Sequence, residues 1–293
     1  MIAQTNSTTQ SYPTSERARI DIEALVKIKL PPMKGTAMRI LELLRDEDAS
    51  TQSLAAAVGC DPILTARVLR LANSVFYSPR RAVTTIEKAL ESIGTKSLYD
   101  IVILDAMAAG FTNDIRNSVL VRNIWAHSVA VGLLSRELVK ILALRGGEEA
   151  FVCGLLHDIG RILLLRADFE RFATLLDQKT DREMIEWEEE NFGFNHMEVG
   201  AYVADQWRLP ETICSVILYH HEPSEANISL VMANIVNAAD MVANAYGYGL
   251  RLEEDEALMQ SESVALLNLS RSQMLNAWDN VQDAIEEVIS MFK

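Results

Sequence analysis

The chain has 293 residues and a mass of 32.7 kDa, room for one large core or two ordinary ones, because single cores stop growing near ~250 to 300 residues. Its 41 acidic against 27 basic side chains give a formal charge of −14, a field that repels phosphodiester backbones and argues against nucleic-acid binding through a broad basic face. Three separated cysteines, Cys60, Cys153 and Cys214, fit neither a disulfide framework nor a thiolate zinc cluster. With no signal-peptide pattern and no run of ~18 apolar residues, a soluble cytoplasmic protein that does not enter membranes is expected.

Residues 1–14 are Ser, Thr, Gln and Asn with one Pro13, a composition that cannot offset chain entropy by burial and is read as a disordered tail. From there, sparse Gly and Pro punctuate apolar segments of helical period, which predicts an all-α protein. Ala37, Ile40, Leu41 and Leu44 form one stripe. Ser50 is placed to cap a second helix with Leu54 and Val58, closed by Gly59. Asp61-Pro62 pairs a cap with a proline at the first helical position, ahead of Leu64, Val68 and Leu71. After an irregular stretch from Asn73 to Thr84, Thr85 is placed to cap a helix that ends at Gly94, and Leu98 to Phe111 is taken as a further helix because no other strand-like run exists to pair with it. Breaks are expected at Gly146-Gly147, Asn191 to Asn195, Leu209-Pro210 and Glu222 to Asn227. Glu186 to Glu190 reads as an exposed helix face, and Cys153 and Cys214 as small core residues. Arg67, Arg70, Arg80 and Arg81 gather around Asn73-Ser74, either a solvated edge or an anionic contact patch. The last 43 residues carry nine acidic and three basic side chains, yet Trp278, Val281, Ile285, Val288, Ile289 and Phe292 keep a helical stripe, so this extension is acidic outside and packed inside.

The chemistry concentrates in five histidines, all between positions 127 and 221: His127, His157, His196, His220 and His221. Helical spacing puts His127 on the face of Val131, Leu134 and Leu138, His196 with Val199, Gly200 and Val203, and His220 with Ile213, Val216 and Ile217. All three point inward. A single buried imidazole is satisfied by one carbonyl or water. Several of them, with Asp158 and Asp240 also inward, would cost roughly 1 to 3 kcal/mol for each group left unpaired, and one shared cation answers all of them. Imidazole with carboxylate and no thiolate suits one or two divalent ions of the Fe, Mn, Zn or Ni kind. His157-Asp158 ends an apolar run at an irregular turn, where adjacent ligands can reach one point, and Gly160 lets another backbone come close.

The order His127, His157-Asp158-Ile159-Gly160, His196, His220-His221, Asp240 resembles the metal-dependent phosphohydrolases of the HD superfamily, the HD-GYP cyclic di-GMP phosphodiesterases in particular. Leu30-Pro31-Pro32 and Asp61-Pro62 with Leu64 to Ser74 are similar to the HDOD domain, a bacterial signalling output domain of that superfamily. The resemblance, which covers about residues 25–250, implies a multi-helix HD-like bundle over residues 116–250 and a smaller HDOD-type helical subdomain over 15–115, with the acidic extension occupying 251–293. It implies His127, His157, Asp158 and Asp240 around one metal, His196, His220 and His221 around a second with Asp158 as bridge, and Arg161 as a phosphate contact. Asp158 and Arg161 are then the candidate catalytic residues. Two departures stand out: the Gly-Tyr-Pro signature is missing, and Asn123 stands where some relatives place a carboxylate. HDOD proteins are generally regarded as having lost catalysis. Three functions therefore stay open: a regulatory module binding signalling proteins or a phosphate-containing nucleotide, a metal-dependent phosphohydrolase, and a helical protein whose histidines are merely buried.

Overall fold

The apolar periodicity becomes helix throughout. The computed structural model describes residues 21–25, 35–46, 48–73, 82–109, 119–174, 180–207, 209–250 and 255–291, and every numbered element among them is helical. In chain order these are α1 (Gly35–Arg45), α2 (Thr51–Gly59), α3 (Pro62–Ala72), α4 (Ile86–Ala109), α5 (Val119–Ile141), α6 (Gly147–Leu156), α7 (Ile159–Ala167), α8 (Phe169–Ala173), α9 (Asp181–Phe192), α10 (His196–Gln206), α11 (Glu211–Tyr219), a 3-10 turn (Pro223–Glu225), α12 (Leu230–Ala245), α13 (Asp255–Gln260), α14 (Glu262–Leu266) and α15 (Arg271–Met291). No described helix is long and apolar enough to cross a membrane. The residues 1–14, Leu30-Pro31-Pro32, Ser74, Arg80, Arg81, Phe111 and Phe292 lie outside the described residues.

Local chemistry sets the helix starts. Ser50 accepts from the Ser53 amide at 3.1 Å, and Asp61 accepts from the Ile63 amide at 2.9 Å with Pro62 opening α3. Each satisfies an amide that the helix itself cannot. The expected close of α2 is corrected: Gly59 is its last residue and Cys60 caps it in a right-handed conformation, so no left-handed glycine is used there. Gly94 does carry positive φ (78°) and separates two helical runs within α4, a backbone state that costs glycine little. At the end of α3 the Asn73 side chain accepts from the Val83 amide and donates to its carbonyl, both at 2.8 Å.

Helix α5 is the axis of the core. It packs against α6, α12 and α15 and buries Ile124, Val131, Leu134 and Leu138, each contributing roughly 1.5 to 3 kcal/mol when fully removed from water. Gly154 permits the close crossing of α5 and α6, because a β-carbon there would stand 2.7 Å from the Val131 carbonyl. In α15, Trp278 stacks on Tyr246 with ring centroids 4.2 Å apart, and Ile285 and Ile289 are buried. Helices α1 to α3 pack on α4, and α4 meets the core through Asp100. Its buried carboxylate pairs with Arg136 of α5, which also reaches Glu148 of α6 at 3.2 Å. Burial pushes the Asp100 carboxyl well above the usual range despite Arg136. Arg67 likewise pairs across elements, with Asp105 of α4, so it belongs to an internal ion pair and not to the basic patch foreseen around Asn73.

Candidate metal centre

Four helical segments deliver the histidines to one place. His127 lies mid-helix on α5, His157 follows the end of α6, His196 opens α10 and His220 caps α11. All four are buried, as are Asp158 and Asp240. The His157-Asp158 pair occupies a short turn between α6 and α7, where both side chains reach inward instead of diverging by the ~100° of a continuous helix. Gly160, just beyond the turn, lets another backbone come close. A β-carbon on it would collide with the backbone of His196, so α7 and α10 meet main chain to main chain and His196 is brought beside Asp158.

In every one of these four imidazoles, Nδ1 is committed outward. His127 Nδ1 lies 2.5 Å from the Tyr248 carbonyl, His157 Nδ1 2.7 Å from that of Gly154, His220 Nδ1 2.8 Å from that of Ile217, and His196 Nδ1 2.6 Å from the Glu188 carboxylate. Carbonyl and carboxylate oxygens only accept, so each Nδ1 carries the proton and each neutral ring presents a bare lone pair at Nε2. These lone pairs face one another. His127 and His157 have their Nε2 atoms 3.2 Å apart, and those of His196 and His220 are 3.4 Å apart. Between the two pairs stands Asp158, with Oδ2 at 3.7 and 3.6 Å from the first and Oδ1 at 3.3 and 3.7 Å from the second. Asp240 Oδ1 adds a carboxylate 3.0 Å from His127 Nε2.

Such a concentration of lone pairs and negative charge is suited to holding cations. Burial pushes His157 down to about 4 and His220 well below the ordinary imidazole range, so neither accepts a proton near neutrality. Burial also lowers His127, but the Asp240 contact outweighs it and raises that group. Burial would raise Asp158 and Asp240 too; Arg161 with its imidazole neighbours holds Asp158 well below the usual carboxylate range, and His127 does so for Asp240. Asp158 Oδ1 makes no hydrogen bond although it is buried. Ligand atoms of His127, His157 and Asp158 lie within 4.8 Å of one another, as do those of Asp158, His196, His220 and His221. The donor set therefore fits divalent ions.

Two carboxylates escape the sequence reading. Glu188, expected on an exposed face, is 0% exposed and accepts from both the backbone amide (2.8 Å) and Nδ1 of His196. It is the residue that turns His196 Nε2 toward Asp158. The signal was present: Glu188 is four residues beyond buried Met184, on the stripe of α9 that faces the core. Asp181, at the first position of α9, lies 3.6 Å from His221 Nδ1. Arg161 is buried and turned inward, with Nη1 2.6 Å from Asp158 Oδ2 and Nε 3.6 Å from Glu188 Oε1. We expect Glu188→Gln to weaken divalent-metal affinity about 10- to 100-fold, the usual penalty for losing an outer carboxylate that orients a histidine ligand. Metal titration of the stripped protein checks this.

An all-helical bundle that wraps a His-Asp dyad and converging imidazoles is of the HD type. Comparison with known proteins gives the family: the HDOD domain model matches residues 30–223, and the chain belongs to the HDOD family. Among solved structures it is similar to a putative phosphohydrolase from Shewanella amazonensis SB2B, with 24% identity and a TM-score of 0.75, over 93% of this chain and 98% of that one. An HDOD domain protein with unknown function from Geobacter sulfurreducens gives 24% identity and a TM-score of 0.73, over 94% and 99% of the two chains. These likenesses establish the fold. A curated protein of Treponema pallidum (strain Nichols) is 24% identical over 203 residues, which is 66% of this chain and only 37% of that relative.

Proposed function

We propose that this HDOD protein is a signalling output module whose core is held by two divalent ions bridged by Asp158, one among His127, His157 and Asp240 and the other among His196, His220 and His221. The observation that carries the reading is the pairwise facing of Nε2 lone pairs on either side of one carboxylate. The ions lock α5, α7, α10, α11 and α12 together, and the output is a contact with a signalling protein. In this reading residues 15–115 act as a subdomain set against the core of 116–250.

Burial favours this role over turnover. Asp158 is 1% exposed, and Arg161, the group suited to bind a phosphate, is spent on Asp158 and Glu188. A phosphodiester would have to displace that arrangement to reach both ions. The second reading, a metal-dependent phosphohydrolase acting on cyclic or linear nucleotides, is supported by the complete set of seven ligand residues. There the ions held by those seven residues would supply Lewis-acid activation of a phosphodiester, and Arg161, released from Asp158, would hold the phosphate. Incubating the protein loaded with Mn2+ or Fe2+ with a nucleotide panel that includes cyclic di-GMP separates the two. The regulatory reading expects no turnover; hydrolysis that disappears in His220→Ala would replace it with the enzymatic one.

A further inference from the structure

We propose that the cleft between helices α1 and α4 and the core helices α6 and α11 binds a small organic cation, an apolar body that carries an ammonium or amidinium group. The cleft has a volume of about 390 Å3, within the range of small-molecule pockets. Its apolar lining comes from Leu44 of α1, Tyr99 of α4, Val152 of α6 and Ile213 of α11, and its acidic lining from Glu148 and Glu149 of α6. Thr95 and Pro210, both exposed, complete the lining and leave it open to solvent. The site is separate from the metal centre and needs none of its ions. It lies at the starts of α6 and α11, whose other ends carry His157 and His220, roughly 10 to 14 Å away along each helix.

Charge selects the ligand. Arg136 already serves two carboxyl groups: it pairs with Asp100 and lies 3.2 Å from Glu148, with its guanidinium 4.2 Å from the centre of the Phe151 ring. Asp100 is 5% exposed, and its Oδ1 has no hydrogen-bond partner, so that guanidinium is shared before the cleft is reached. Glu149 has no cation partner among the described residues. One of its oxygens accepts from the Thr212 hydroxyl, which fixes the carboxylate, and the other makes no hydrogen bond to a described residue. Even with Asp100 protonated, the carboxylates of Glu148 and Glu149 outnumber the guanidinium among the described side chains, and apolar walls strengthen such a field.

A metal ion matches this lining poorly, because two carboxylates beside aliphatic and aromatic groups supply few of the six or more oxygen ligands that a hard cation takes. An organic amine matches it well. Its hydrocarbon body leaves water against the apolar lining, and its N–H groups donate charge-assisted bonds to the carboxylates. Size favours a free ligand over a partner protein's basic side chain, since a single lysine or arginine would fill only part of the cleft.

Calorimetric titration of the full chain with phenethylamine, its neutral isostere phenethyl alcohol and the anion phenylacetate tests this. Phenethylamine should bind as one molecule per chain, about 10-fold or more tighter than the alcohol, the margin of one charge-assisted hydrogen bond, and phenylacetate should not bind. Glu149→Gln, which keeps the Thr212 bond and removes the charge, should weaken phenethylamine about 10-fold and leave the alcohol unchanged. Thr95→Trp fills the opening from an exposed position and should abolish binding of both. Circular dichroism checks that the variants are folded, and Glu149→Gln decides alone if Thr95→Trp is not. Equal affinity for amine and alcohol, amine binding untouched by Glu149→Gln or by a folded Thr95→Trp, or no binding of the amine at millimolar concentration overturns the proposal. Capture of acetyl-Leu-Lys-Leu-amide without any binding of phenethylamine overturns it too, and would make the cleft a docking site for a partner's basic segment.

Discussion

Gly160→Ala is expected to lower stability by at least ~3 kcal/mol, at the top of the range for an over-packed core. The reason is that the new methyl meets backbone. A β-carbon on Gly160 runs into the carbonyl and Cα of His196, and main chain at a helix start cannot rotate aside as a side chain can. Relief requires α7 and α10 to separate, which removes His196 from Asp158 and opens the packing of Ile159 against Gly200. For a protein of this size the loss corresponds to a fall in melting temperature on the order of 10 °C. Gly35→Ala is the matched control: nothing lies within 4 Å of its added carbon, so the change should stay within ~1 kcal/mol. Thermal melts of both variants check the pair, and a Gly160→Ala protein as stable as Gly35→Ala would show that the two helices are not in contact there.

Asp158→Asn should abolish metal binding altogether. The carboxylate presents one oxygen to each pair of imidazoles, so its neutral amide withdraws charge from both positions at once. It also strands Arg161. That guanidinium is buried, and its Nε and Nη2 already lack hydrogen-bond partners, so losing the Asp158 contact leaves Glu188 at 3.6 Å as its remaining counter-charge. Breaking a buried pair from one side costs ~3 to 5 kcal/mol. The metal-free variant should therefore melt below metal-free wild type, and elemental analysis should find no ion. Asn237→Ala, which loses only a bond to the His220 carbonyl, provides a nearby contrast that keeps its metal.

How much of this could be read beforehand follows from what each signal measures. Inward positions on single helices were legible, because His127, His196 and His220 share their faces with residues that are buried and period alone decides that. Gly160 was legible as a point of close approach, though not that its partner is the His196 backbone. Glu188 was hidden by its neighbours. In a run of three glutamates composition announces solvent, and only the register from Met184 says otherwise. Asp181 looked like the acidic first turn that any helix favours, and its place 3.6 Å from His221 Nδ1 depends on a residue forty positions later and on another element. Arg161 was assigned to phosphate from its place after the His-Asp turn; the geometry ties it to Asp158 because that carboxylate is buried and needs a counter-charge. Pairings between distant elements follow from tertiary packing, and no local pattern encodes them.

The central claim, that lone pairs on distant helices converge on cations, is tested most directly by anomalous diffraction from crystals of protein grown with Mn2+ or Fe2+ and measured across the metal edge. Two peaks flanking Asp158 are predicted, one on the side of His127 and His157 and one on the side of His196 and His220. Ordered waters at those positions, with no anomalous signal and with Nε2 atoms hydrogen-bonded to solvent, would contradict it.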